Sequence, residues 1–245
     1  MKPHASRRGL ARRRQRGISL LIVMIVVLLS SLLALWSFRT SLVNETIVGN
    51  DADYLRAFEA AQAMIQDAEF DIRGERPDGT VCEPLGSAPQ RCRTGSTVAF
   101  IEETKDLGDL LVRLEADAVT RCLHGICQKR VGKQDFWNDK DQMEAMTKSG
   151  TGARYGEYTG ALTGDASNPI LKTTSSTKAD KGAWYWIEVM PYDTSAGGQL
   201  LAGQPKLDLN LNPNVVYRIT AVAFGLKPRT RAVLQSTLAR QKLQN

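Results

Sequence analysis

Four cysteines and two histidines hold the widest choice of chemistry in these 245 residues. Cys122, His124 and Cys127 stand as Cys-x-His-x-x-Cys, half of a zinc site that Cys82 or Cys92 would have to complete. The spacing is poor for zinc, and an oxidising compartment turns an even number of cysteines into disulfides. Cys82–Cys92 with Cys122–Cys127 is the simplest of the three pairings that four cysteines allow. Each bond would pin a short loop more than it would hold the whole fold. Paired acids suit proton transfer, and Glu102-Glu103 and Asp139/Asp141 are such pairs, but they read better as solvated surface charge. Trp184, Tyr185 and Trp186 can stack on a sugar or a partner, although a strand buried on a helix accounts for at least two of them. No G-x-S-x-G, H-E-x-x-H or phosphate-binding loop is present, so no catalytic residue, metal or cofactor is expected.

The elements that carry these residues begin with a basic tail. The chain has 32 Lys and Arg against 26 Asp and Glu, a formal charge of +6. Seven of the positive charges, Lys2, Arg7, Arg8, Arg12, Arg13, Arg14 and Arg16, fall in residues 1–17 with no acid among them. The rest of the chain then sets 25 basic residues against 26 acidic ones, so it has no general attraction for nucleic acid. Ile18 to Phe38 follows with 21 residues and no charge. As a helix at about 1.5 Å per residue it spans roughly 30 Å, the thickness of a bilayer's hydrocarbon. It is longer than a signal-peptide core, and no small-x-small cleavage site ends it. Basic residues before it and only Arg39 just after it predict a cytoplasmic N-terminus, with residues 40–245 outside, in the periplasm of a Gram-negative cell.

Gly17 joins the basic tail to the apolar run with no spacer. A basic leader, a glycine and an immediate apolar helix resemble the class III leader of type IV pilin precursors. The resemblance implies cleavage by the prepilin peptidase between Gly17 and Ile18, and methylation of the new amine of Ile18. The fifth residue after that cut is Ile22, where most pilins have a glutamate. PilX-type minor pilins and the K-type tip pseudopilin of type II secretion commonly lack it. Glu45, Gly49, Asn50, Asp53, Ala57, Phe58, Ala60, Ala61 and Ala63 stand in the order and spacing of PilX-type minor pilins. Tyr217-Arg218-Ile219-Thr220-Ala221, followed by Val233-Leu234-Gln235-Ser236, resembles that family's last two strands. Cys122-Leu-His-Gly-Ile-Cys127 resembles its Cys-x-x-Gly-Leu-Cys loop. The resemblance implies a pilus assembly protein of the inner membrane, later of the pilus and cell surface. Its implied partners are major and minor pilins and the prepilin peptidase.

Independently of the family, Leu55, Phe58, Ala61, Ile65, Ala68 and Ile72 recur at helical spacing, with Asp51, Asp53, Glu59 and Asp67 off that stripe. The membrane helix is expected to continue into an amphipathic one that ends at Gly74, with a weak point at Gly49 and Asn50 as a cap for a restarted helix. Residues 75–97 read as a loop, Val98 to Glu102 and Leu110 to Ala116 as strands, and Gln134 to Lys148 as a short helix. Residues 149–182, rich in Gly, Ser and Thr, read as exposed and mobile. Strands are expected over Trp184 to Met190, Val215 to Phe224 and Arg231 to Leu238, with Val215, Tyr217, Ile219, Ala221 and Ala223 on the core face. The fold class is α+β and pilin-like: a long N-terminal helix, its first half spanning the membrane, packed on an antiparallel sheet. The divisions are leader 1–17, membrane helix 18–38, amphipathic continuation 39–74 and head 75–245. The expected function is non-catalytic assembly as a minor pilin. The alternatives are a K-type pseudopilin and a signal-anchored periplasmic binding protein or enzyme.

Overall fold

The computed structural model describes residues 18–83, 92–93, 98–161, 168–173, 178–192 and 211–241. The leader with Gly17 and His4, most of the loop between Cys82 and Cys92, and parts of 162–177 lie outside the described residues. Helix α1 runs Ile18–Arg73 and passes Gly49 without a break. The chain divides into two compact units, Met1–Gly49 and Asn50–Asn245.

In the first unit, residues 18–48 are exposed all round the helix. Ser30 and Ser31 donate their hydroxyls to the carbonyls of Val26 and Val27, four residues back, and Thr40 and Thr46 do the same to Trp36 and Leu42. Those polar side chains turn inward on the helix backbone and leave its surface apolar.

In the second unit the remainder of α1 covers one face of a five-stranded sheet. The other elements are α2 (Leu107–Glu115), α3 (Lys140–Met146), β1 (Cys122–Leu123), β2 (Ile126–Gln128), β3 (Ala183–Pro191), β4 (Leu211–Phe224) and β5 (Arg231–Gln241). The sheet order is β1-β2-β3-β4-β5. All neighbours are antiparallel except β2 and β3, which run parallel with Ile126 opposite Ile187. The arrangement is the α+β, pilin-like one expected. Helix α1 ends where Gly74 takes a left-handed φ of 68°. The Glu75 amide then reaches back to the Phe70 carbonyl at 2.9 Å, the six-residue return bond of a glycine-terminated helix.

Alternation along β4 sets the core. Val215, Tyr217, Ile219, Ala221 and Ala223 are fully buried against Ala57, Ala60, Ala61, Met64 and Ala68 of α1. The opposite face is covered too, which the sequence did not suggest. Phe136, Met143 and Met146 pack on Trp184, Trp186 and Val222. Only Tyr185 of the aromatic trio points to α1; the two tryptophans belong to this second layer. The expected helix over 134–148 is a 3-10 turn, Phe136–Asn138, followed by α3, whose first amides Asp139 caps.

Three expectations are corrected. Leu110 to Ala116 is the end of an amphipathic helix, not a strand: Leu110 and Leu114 are buried four residues apart, a helical step that the local run of apolar residues masks. Residues 98–102 form no strand, and Val98 and Ile101 plug the core from irregular backbone. The described part of 149–182 is not an exposed loop. Ala153 exchanges two backbone hydrogen bonds with Tyr185, at 3.1 and 3.0 Å, and Thr151, Ala153, Arg154, Tyr158 and Thr159 are buried.

Candidate assembly site

The first surface of interest is the apolar rod. Between Ile18 and Val48 only Arg39 and Glu45 carry charge. Among the described residues, α1 is the one helix long and apolar enough to cross a membrane, and none of its most apolar stretch is buried. Ile18 heads the helix and is 72% exposed. Ile22 is half exposed and apolar, so the rod offers no carboxylate near its start. Gly17, on the other side of the expected cut, lies outside the described residues.

The second feature is a column of three buried aspartates on α1, in the head. Asp53, Ala57, Ala60, Met64, Asp67 and Asp71 follow one another in steps of three or four, so they share one face of the helix. Each carboxylate is captured by a different segment. Asp53 accepts the backbone amides of Leu226 and Lys227 at 2.9 and 3.0 Å, in the turn between β4 and β5. Gly225 is required there, because a Cβ would collide with the Asp53 carboxylate. Burial alone would raise the Asp53 carboxyl, but those two amides, the Thr230 hydroxyl and Arg56 outweigh it and hold it below its ordinary value. Asp67 accepts the Gly156 amide at 2.7 Å and the Thr159 hydroxyl at 2.5 Å. Burial dominates here, with the Asp71 and Glu157 charges adding to it, and the carboxyl is pushed up to about 7.

Asp71 takes the deepest ion pair. Arg93 donates to both its oxygens at 2.6 Å, and the Tyr185 hydroxyl adds a third bond at 2.8 Å. Burial would pull the Arg93 guanidinium down, but the Asp71 charge and hydrogen bonds hold it above its usual range. Burial also keeps the Tyr185 hydroxyl protonated, well above the usual phenol value, so that it can donate. Sequence reasoning placed Asp53 and Asp67 off the buried face and missed Asp71 and Arg93. The three- and four-residue steps were the available signal, and the charge on the acids argued against using it.

The sequence-flagged chemical residues fall elsewhere. Cys82 is bonded to Cys92, and Cys122 to Cys127. His124 turns its Nδ1 to the Tyr158 hydroxyl at 2.9 Å. Glu103 pairs with Lys105 in solvent, and Asp139 caps α3. Trp186 donates to the Met146 carbonyl at 2.9 Å, and the Arg154 guanidinium covers the Trp184 ring. None of these is brought together as a reaction centre, and the described residues hold no cluster of three metal-ligating side chains.

Residues 123–240 match the family model described as Type IV pilus assembly protein PilX C-term. That stretch is a PilX-type pilin C-terminal domain. No curated protein and no solved structure matches the chain. This PilX-type domain takes in β2 to β5 and the segments that grip Asp53 and Asp67, while α1 and Arg93 lie before it. The match assigns the chain to type IV pilus assembly.

Proposed function

We propose that the chain is a non-catalytic minor pilin whose apolar helix is its working surface. Residues 1–17 are the leader; the prepilin peptidase cuts between Gly17 and Ile18, and Ile18 is then N-methylated. Ile18 to Phe38 holds the subunit in the bacterial inner membrane, with the N-terminus cytoplasmic and the head, residues 75–245, periplasmic. Residues 39–74 carry the helix into the head. From there the subunit enters the pilus, or primes it, by stacking its helix among those of other major and minor pilins. One observation carries this reading: a rod exposed on every side, with two charges in 31 residues, leads into a PilX-type head. Such an apolar surface persists only in lipid or against similar helices.

N-terminal sequencing of the protein extracted from membranes tests the reading. N-methylated Ile18 is expected, and a chain that still begins at Met1 overturns it. Ile22 adds a position. Without a carboxylate to pair with a neighbour's amine, the subunit belongs at a filament end or in the priming complex. Immunogold label should then mark pilus ends, and regular decoration of the shaft refutes that placement.

A further inference from the structure

Arg93 follows Cys92 directly in the chain and closes the interior of the head. Its guanidinium binds Asp71 near the end of α1, the Val98 carbonyl at 3.1 Å and the His124 carbonyl at 2.7 Å, in the turn between β1 and β2. Its flat faces meet the Phe100 and Tyr158 rings, with centroids 5.0 and 4.0 Å away. The pair is sealed from water, with 6% of the Arg93 side chain and 1% of the Asp71 side chain exposed. Cys82, the other end of the bond to Cys92, is itself fixed to the end of α1. Its amide donates to the Gly74 carbonyl at 2.8 Å, and Glu75 bridges Val81 just before it. A closed path therefore runs from Asp71 through the helix end, the 74–82 turn, the disulfide and Arg93, back to Asp71.

We propose that the Cys82–Cys92 bond is a latch that acts through Arg93, so that Arg93 closes on Asp71 at the end of α1 only after these two thiols are oxidised. The bond forms by two thiol–disulfide exchanges with a disulfide-bearing oxidant. The two cysteine thiols lose two electrons and two protons, and the oxidant's disulfide becomes two thiols. Before oxidation Arg93 is tethered to Asp71 through 22 residues of chain. Asp71 then keeps only the Tyr185 hydroxyl in a site closed to water, and an unpaired buried carboxylate disfavours the closed state. After oxidation the disulfide brings Arg93 to the helix end and the charge is matched. A subunit built this way completes its head only in an oxidising compartment.

The test uses the full chain in detergent micelles and the variant in which Cys82→Ser and Cys92→Ser are combined. Exchange of the Arg93 Nε proton, followed by NMR, should accelerate on the order of 100-fold in that variant, as for a locally opened site. The amides of β3 to β5 should stay protected. A second measurement is a thermodynamic cycle. The drop in Tm caused by the cysteine replacements should shrink to about half or less when Asp71→Asn and Arg93→Met are already present, because coupled groups are not additive. An Arg93 proton as slow as in the parent chain overturns the latch. So does an equal drop in Tm in both backgrounds, the result expected if the disulfide only constrains the unfolded chain. If the cysteine variant does not fold, the combined four-residue variant must fold for the proposal to stand; its failure too would reject it.

Discussion

From Ile18 to Gly49, α1 turns leucine, isoleucine and valine outward on every side; from Asn50 to Arg73 it hides alanine, methionine and aspartate against a sheet. The same secondary structure serves two solvents. In the first stretch a buried charge has no partner to meet, so Ile18 to Phe38 excludes charge and the helix turns its hydroxyls onto its own backbone. In the second, small side chains let the sheet approach closely, and three acids become anchors because segments distant in sequence bring donors to them. Aspartate is thus harmful in one half of the helix and structural in the other.

The largest effect that sharpens this contrast is expected at Asp71. Asp71→Ala leaves Arg93 as a buried unpaired cation and should lower head stability by about 3–5 kcal/mol, read by chemical unfolding. The mirror experiment is Val27→Asp in the rod. It should oppose membrane insertion by about 2.5–3.5 kcal/mol, read by alkaline extraction of membranes, while the head's unfolding midpoint stays put. If that aspartate proves harmless in the rod, the contrast between the two stretches fails. Asp53→Ala should cost about 1–3 kcal/mol, since two amides of the β4–β5 turn lose their acceptor. The smallest expected change is in pH dependence. The Asp67 carboxyl sits at about 7 in the fold against 3.8 for an ordinary aspartate, so the folded state holds its proton longer than the unfolded chain does. Its contribution is fully present below about pH 4 and is lost as the pH rises to about 7. Asp67→Asn should flatten the fall in stability across that window, measured by melting at a series of pH values.

The charge-free run, the glycine stop at Gly74, three long strands and the core face of β4 are all legible in local composition and period, which a short window of sequence contains. Helix α2 is not legible in that way: Leu110, Leu111, Val112 and Leu114 crowd so closely that strand and helix readings both fit, and burial of Leu110 with Leu114 decides for the helix. Residues 149–161 mislead because glycine and threonine signal a loop whether or not that loop pairs with the edge of β3.

The acids of α1 mark the division most clearly. Their spacing, the apolar rod and the strand pattern are written in the order of residues, because each depends on neighbours a few positions away. Which face of α1 turns inward, and that Arg93, Gly156 and the Leu226–Lys227 turn would arrive to satisfy Asp71, Asp67 and Asp53, was settled only in three dimensions. Burial of a charge is decided by the donors that surround it, and those donors come from chain positions 22 to 174 residues away.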